Sequence, residues 1–388
     1  MSILEFDGGS PPLSDVEASF LESLDRAVQN EILQRAAEVD STGEFPWANI
    51  ETLNEIGANS IFIPSEYDGA GLSYAAYLKC LIEISKACAS TGITWATNFH
   101  AAIPLLLYAG EAQKRAILPK IAGGSLAAVC LTEPGAGSDA TAMKTRFVPA
   151  GDNVRIDGAK VFITNGGVAD YYIVFGKWAP LGDGRDAISL VYVPGDTPGL
   201  TVDRLEDKMG HRGSATAALI FDNCIVPQSH MIGDPGAGLT MLHGFLDRSR
   251  PSVSAHALGI ARAAFEDAIS YVNERVQSGK RIVEFQGIQF LLADLAAELV
   301  MCENLLWSLA ERVDRGKSIS AVEASILKMR CSDLAMRATT EAVQLHGGYG
   351  YCRDFRVERL MRDAKVTQIW EGTNQIHRRI IGRSFVER

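Results

Sequence analysis

The chain lacks most of the features that mark whole classes of protein. Its 388 residues hold 37 Lys and Arg against 47 Asp and Glu, a net charge of −10, and no block of five or more basic residues occurs. A nucleic-acid surface or an anionic-membrane surface needs concentrated positive charge, so neither partner is expected. The seven cysteines (Cys80, Cys88, Cys130, Cys224, Cys302, Cys331 and Cys352) are odd in number and form no C-x-x-C pair. A disulfide framework or a zinc site is not expected, and buried thiols in a reducing compartment are the simpler reading. The seven histidines show no H-E-x-x-H or similar spacing, so no metal is expected. No apolar run reaches the ~20 residues of a membrane helix. Residues 1–15 are acidic and lack the basic-then-apolar order of a signal peptide. Cytoplasmic residence is the expectation. There is no G-x-G-x-x-G after a strand, no P-loop, and no repeat or low-complexity segment.

What is present is ordinary in bulk and organised in order. Apolar residues make up 47% and charged residues 22%, enough for a large core and two or three domains. Residues 15 to 122 carry apolar positions at helical spacing, broken at Pro46 and at the turn-rich Pro64–Gly71. One of these helices holds Trp95, Asn98, Phe99 and His100, and a histidine in such company is more often a satisfied core residue than a catalyst. After Gly123-Gly124 the pattern changes to short β-rich runs: Ala127–Leu131, Val154–Ile163, Tyr171–Phe175, Ala187–Val193 and Ala217–Phe221. Helical crossovers are missing between them, so a small antiparallel β domain is expected rather than a Rossmann sheet. From Gly236 the helical pattern returns. Leu239 to about Val276 predicts one helix of ~55 Å at ~1.5 Å per residue, with a bend or break at Pro251. Two more long helices and a shorter pair follow. The fold class expected is α+β, mainly α: an N-terminal helical domain over 1–125, a middle β domain over 126–235, and a C-terminal helical bundle over 236–388.

Six segments could carry chemistry. Ile369-Trp370-Glu371-Gly372-Thr373-Asn374-Gln375-Ile376 holds one carboxylate in apolar company. Burial would raise its pKa and make it a usable base; the plainer reading is a solvated glutamate before a helix that Thr373 caps. Leu131-Thr132-Glu133-Pro134-Gly135-Ala136-Gly137-Ser138-Asp139 follows a strand, and its glycines could turn N–H groups toward a phosphate or a polar ring edge. The residues leave a simple glycine-rich turn equally open. Gly158 to Gly166 places Phe162 and Thr164 at a strand end, where a flat ring could stack, and Asn165-Gly166 signals a hairpin turn. Lys208 to Thr216 reads as a structural loop. Asp247 and Arg250 share a helical face, as an exposed ion pair or as contacts to a ligand tail. Arg275 with Gln286, and Gln344-Leu345-His346-Gly347-Gly348, could meet a diphosphate or an adenine.

Taken together and in this order, L-T-E-P-G-A-G-S-D, G-A-K-V-F-I-T-N-G, Q-L-H-G-G-Y-G-Y, R-D-A-K and I-W-E-G-T-N-Q-I resemble the acyl-CoA dehydrogenase family of flavoproteins, over about residues 15 to 385. The resemblance implies an FAD-dependent oxidation of an acyl thioester to the trans-2-enoyl thioester. In it Glu371 removes the α-proton, and a β-hydride goes to the flavin. It implies flavin and pyrophosphate contacts at Leu131, Thr132, Gly137 and Ser138, with Ser138 also reaching the substrate. Ring contacts fall to Phe162, Ile163 and Thr164. Arg275, Gln286, Gln344, Gly347 and Gly348 match contacts to the adenine half of FAD from a neighbouring subunit, and Gly372, Thr373 and Gln375 further FAD contacts. Asp247 and Arg250 match substrate-tail contacts, and Arg383 a contact to the nucleotide tail. It further implies a homo-oligomer, expected as a tetramer. The electron acceptor implied is an electron-transfer flavoprotein, and the thioester is carried on CoA or a carrier protein. Some family members place the base on the long helix beside the arginine matching Arg250; here that neighbour is Ser249, which leaves Glu371 as the base. Ser278 stands where many members carry an aromatic ring. A flavin monooxygenase or another non-dehydrogenating flavoprotein on the same scaffold is the alternative.

Overall fold

The structure is a computed structural model that describes residues 9–386, so most of the segment weighed as a leader lies outside the described residues. The chain opens with α1 (Asp15–Ala27), which passes through a π turn (Val28–Ile32) into α2 (Leu33–Thr42). Ser14 and Glu17 start α1 with a reciprocal cap: Ser14 N–H donates to Glu17 Oε2 (2.9 Å), and Glu17 N–H donates to Ser14 Oγ (3.3 Å). The other Glu17 oxygen accepts from Ser73 N–H (2.8 Å), which ties this end to the start of α4. α3 (Trp47–Glu55), α4 (Tyr74–Ala87), α5 (Ala89–Tyr108) and α6 (Glu111–Ala122) complete the first helical block.

The middle block is one eight-stranded sheet of β1 (Ala127–Cys130), β2 (Arg146–Ala150), β3 (Asn153–Thr164), β4 (Tyr171–Trp178), β5 (Ile188–Pro194), β6 (Leu200–Leu205), β7 (Thr216–Pro227) and β8 (Met231–Ile232). Its order is β6-β7-β3-β2-β4-β5-β8, with β1 also on β4. The expected antiparallel sheet needs correcting in two places, because β1 and β2 each pair with β4 in parallel. The expected hairpin at Asn165-Gly166 is also absent. β3 and β4 are not neighbours, and the buried Asn165 side chain instead donates to Thr94 O and Ala127 O (3.1 Å each). Alternate residues of β4 explain how the sheet joins the helices. Tyr172 and Val174 enter the sheet's own core, while Ile173 and Phe175 enter the helical core. Burial on both faces is why these strands read as apolar runs rather than as alternations.

α7 (Gly238–Glu274) then runs without interruption through Pro251, so of the bend or break expected there the break does not occur. Packing of α7 against α4, α5, α8 and α9 outweighs the one hydrogen bond that proline removes. A two-stranded hairpin, β9 (Val276–Gln277) and β10 (Lys280–Arg281), leads into α8 (Gln286–Asp314), α9 (Ala321–His346), α10 (Val357–Thr367) and α11 (Asn374–Arg383). Six cysteines are buried as expected, whereas Cys352 is exposed in the turn after α9. His100 is buried and bonded to Ser252 Oγ (2.9 Å), a satisfied core histidine. Among the described residues no cluster of metal-binding side chains occurs, and no helix is long and apolar enough to cross a membrane.

Candidate active site

Glu371 sits in the turn between α10 and α11. Ile369 and Trp370 N–H both donate to Val366 O (2.8 and 3.1 Å), and Asn374 N–H donates back to Gln368 O (3.1 Å). To reverse so tightly, the backbone turns left-handed twice in succession, at Glu371 (φ +51°) and Gly372 (φ +96°). Glycine takes that region freely, whereas a glutamate there costs about 1 kcal/mol. Thr373 caps α11, its Oγ1 accepting from Ile376 N–H (3.4 Å). The cap of the plainer reading is therefore present, but its solvated carboxylate is not. Glu371 is half-buried, and Ser249 Oγ on α7 donates to its Oε2 (2.6 Å). Arg250 on α7 is 5% exposed and Lys328 on α9 is 1% exposed, and both bring positive charge to the same carboxylate. Burial raises the Glu371 pKa above the ordinary glutamate range, and the Ser249 hydrogen bond with the two cations offsets only part of the rise. The arrangement makes a proton acceptor usable near neutral pH.

The expected surface pair of Asp247 and Arg250 does not exist as such. Asp247 is half-buried, and Arg250 lies in the packed middle of α7 with its Nε unpartnered. Burial pulls the Arg250 pKa down, opposed by Glu371 and then Asp247.

On the sheet side, Glu133 fixes the base of the glycine-rich loop. Its carboxylate accepts from Lys160 Nζ (2.8 Å) and from the N–H groups of Lys144 and Thr145. Lys160, fully buried, also donates to Leu131 O (3.0 Å), and Val161 N–H donates to Thr132 O (2.9 Å). The tip stays open. Gly135 and Gly137 have nothing within 4 Å of where a side chain would begin, and Ser138 is exposed. β3 bulges between Lys160 and Ile163, and Phe162 there adopts φ +58° and is 63% exposed. The bulge sends Ile163 into the sheet core and leaves the Phe162 ring free. Beyond β3, Asn165 N–H donates to Ala215 O (2.9 Å), and from the same 208–216 loop the His211 ring meets the Trp370 ring at 5.1 Å. That contact chain joins the end of β3 to the Glu371 turn.

A second concavity lies at the far end of α7. Tyr271, Arg275, Gln277, Gly347, Gly348 and Tyr349 help line a groove of ≈ 540 Å³, with the Arg275 guanidinium 5.7 Å over the Tyr349 ring. The structure brings Arg275, Gly347 and Gly348 together here, while the exposed Gln286 and Gln344 do not line the groove. Ser278 is exposed at the β9–β10 tip in a left-handed conformation (φ +52°). Gln375 and Arg383 are exposed on α11. No residue of the Glu371 turn or of the sheet loops lines this groove. Ser249 and Arg275 are 26 positions apart on one helix axis, roughly 39 Å at ~1.5 Å per residue.

Comparison with known proteins fits this geometry. The three acyl-CoA dehydrogenase family models match in order: the N-terminal domain over residues 14–125, the middle domain over 128–224 and the C-terminal domain over 236–386. The chain belongs to the acyl-CoA dehydrogenase family. Its members are flavin-dependent oxidoreductases acting on CH–CH donors. An acyl-CoA dehydrogenase of Bacillus subtilis is 42% identical over 359 residues, covering 92% of this chain and 94% of that protein. Butyryl-CoA dehydrogenase of Megasphaera elsdenii superposes with a TM-score of 0.93 at 37% identity, covering 97% of this chain and 100% of the other. A structure from work on the electron-transferring flavoprotein of Acidaminococcus fermentans also has a TM-score of 0.93 at 37% identity, covering 97% and 99%.

Sequence reasoning passed over two groups in this family member. Lys328 Nζ donates to Gly372 O (2.7 Å) and to Asn374 Oδ1 (3.1 Å), directly beneath the Glu371 turn. A signal was available: Ala324, Leu327, Cys331 and Ala335 mark the buried face of α9, and Lys328 lies on it. The loop read as structural supplies His211, whose Nε2 lies 2.8 Å from His256 Nε2, with both rings against Trp370. Burial lowers the pKa of each, so this is an uncharged pair sharing one proton. Nothing in the spacing of residues 211 and 256 predicts their meeting.

Proposed function

We propose that the chain oxidises the Cα–Cβ bond of an acyl thioester to the trans-2-enoyl thioester, with Glu371 as the base that removes the α-proton. The observation that carries this reading is the state of Glu371: half-buried, left-handed, hydrogen-bonded by Ser249, and raised in pKa between two cations. The α-proton passes to the Glu371 carboxylate. The Glu371 N–H, which has no partner among the described residues, donates to the thioester carbonyl oxygen as enolate charge develops. Arg250 keeps the carboxylate ionised at the reactive end of the site, a nearer role than the tail contact the resemblance implied.

The residues fit FAD. At the open glycine tip Ala136 N–H is taken by Glu133 O (3.0 Å), whereas the N–H groups of Gly135, Gly137 and Ser138 have no partner among the described residues, and the left-handed bulge presents the Phe162 ring. Leu131, Thr132, Gly137, Ser138, Phe162 and Thr164 would hold the flavin half, Ile163 through its main chain only, with Gly372, Thr373 and Gln375 nearby. When bound, the flavin supplies the acceptor for the β-hydride. Arg275, Gly347 and Gly348 would hold an adenine half, joined by Gln286 and Gln344. The roughly 39 Å between Ser249 and Arg275 along α7 exceeds the reach of one dinucleotide. That supports a homo-oligomer in which each groove serves the cofactor of a second copy. Asp247 and Arg383 would meet the substrate's tail. A short acyl-CoA and an electron-transfer flavoprotein are the substrate and acceptor that the relatives favour.

Anaerobic flavin bleaching against a panel of straight and branched acyl-CoAs tests this reading. The wild type should bleach with at least one of them. Glu371→Gln should stay folded and yellow but lose turnover. Full turnover in that variant would remove Glu371 as the base.

A further inference from the structure

Lys328 occupies an unusual place. Its ammonium lies inside the helical core, 1% exposed, and makes two hydrogen bonds, both to the segment that follows Glu371. One goes to the carbonyl of Gly372, the second of the two consecutive left-handed residues. The other goes to Asn374 Oδ1. That amide in turn donates to Ser332 Oγ (2.9 Å) and Asp333 Oδ1 (2.8 Å) on α9, one turn along from Lys328. Asp333 also accepts from Gln368 Nε2 (2.7 Å), at the entry of the turn. The turn is therefore stapled to α9 at both its entry and its exit, and Lys328 holds the Gly372–Thr373 peptide just after the base.

From this geometry we infer that Lys328 is the positioning residue of the site: it locks the Glu371–Gly372 turn in its left-handed form and sets the charge that the base feels. The inference rests on Glu371 as base. Two consecutive left-handed residues, one of them not glycine, persist only where surrounding bonds over-determine them. Lys328 supplies one such bond at the site where a misplacement of ~1 Å can cost about 100-fold in rate.

The charge argument follows from what faces the ammonium. Glu371 from the turn and Asp333 from α9 favour its protonated form, and Arg250 from α7 disfavours it. His377 on α11, buried and itself brought down to about 3, adds no charge near neutral pH. Burial dominates this balance and brings Lys328 down to about 7. Below about pH 7 Lys328 is therefore cationic, and in that form it favours the Glu371 carboxylate. Removing that cation must raise the pKa of Glu371.

The test uses the flavin-loaded enzyme with Lys328→Met, Lys328→Gln and Glu371→Gln. One readout is kcat and KM across pH with the acyl-CoA that the wild type oxidises fastest. The other is the protonated-carboxyl infrared band of Glu371, assigned by its loss in Glu371→Gln and titrated without substrate. Lys328→Met should lower kcat about 100-fold with KM changed less than about threefold. Lys328→Gln keeps a donor to Gly372 O, so it should lose only about tenfold. Both should move the band's midpoint, and the acid limb of kcat, up by about one pH unit. An unmoved midpoint in folded, flavin-loaded variants overturns the inference. Loss of folding in both variants also overturns it, by assigning Lys328 to stability alone. Turnover by Glu371→Gln would instead sink the base assignment, and the substrate-free titration would still report on Lys328.

Discussion

Ser249→Ala perturbs Glu371, the proposed base, through one atom. Ser249 Oγ donates to Glu371 Oε2 at 2.6 Å, a hydrogen bond to the ionised form of the carboxyl. Such a bond contributes about 1.5–3 kcal/mol, and each pKa unit corresponds to about 1.4 kcal/mol. Deleting the hydroxyl should raise the Glu371 pKa by about one to two units, toward the lower end if a water enters the space. The sign is fixed by which protonation state the donor serves. With the donor gone the proton is held more tightly, so the acid limb of kcat moves to higher pH. Above the new limb the rate should recover fully, because a more basic carboxylate accepts the proton at least as well. KM should barely change. Stability carries a second signature. Below its pKa Glu371 is neutral and tolerates the loss, while above it the carboxylate is charged and short of a partner. The stability deficit of Ser249→Ala against wild type should therefore grow as pH rises through the Glu371 midpoint. The assay is a full pH profile of kcat with thermal melts in the same buffers. A limb that stays in place, or moves to lower pH, would refute the geometry on which the base assignment stands.

Two further outcomes follow from buried charge elsewhere. Lys160→Met leaves Glu133 buried without its cation, and breaking one side of such a pair costs about 3–5 kcal/mol. Because Lys160 also holds Leu131 O, the variant should purify with less flavin as well as a lower unfolding midpoint, and added FAD should restore only part of the loss. Asp363, buried against the His211 N–H, has its pKa pushed up to about 7, chiefly by burial and also by Asp40. The folded state keeps that proton where the unfolded chain has released it, so this group's contribution to stability falls as pH rises from about 4 to about 7. Asp363→Asn removes the slope. Denaturant titrations should show the variant gaining on wild type across that window, by on the order of 2–4 kcal/mol, and running parallel above it.

Legibility in the sequence followed the range of the interaction. The long helices were readable because each carries its own apolar stripe, and the Ser14–Glu17 and Ser320–Glu323 caps are local too. The open glycine tip and the exposed Phe162 sit in segments whose composition already suggested them. Pairing was less readable. The parallel contacts of β4 join strands that are distant in the chain, and nothing in an apolar run states its partner or direction. Asn165-Gly166 misled because the dipeptide reports a turn, whereas the asparagine amide is used to bind Thr94 O and Ala127 O across the fold. The site was half legible for the same reason. Glu371 and its glycine lie in one octapeptide, but Ser249 and Lys328 reach it from 122 and 43 residues away. The apolar positions around Lys328 mark it as inward-facing, but neither it nor Ser249 gives a sign of which turn it meets.

With Glu371 as the proposed base, Ser249 also gives a physical reason for a single carboxylate at this site. Residues 249 and 371 come from different helices yet place their oxygens 2.6 Å apart, so the two chain positions address one point in space. A carboxyl at both would force two like charges together, and one would keep its proton through neutral pH. The site can therefore use an acid at either position but gains nothing from both. With glutamate in the left-handed turn, the best occupant of the helix position is a small donor. Serine stabilises the anion with its hydroxyl, adds no charge, and is fully buried in the packed middle of α7. The choice of residue at 249 and the choice at 371 are thus one choice, made by electrostatics across the interface between α7 and the turn before α11.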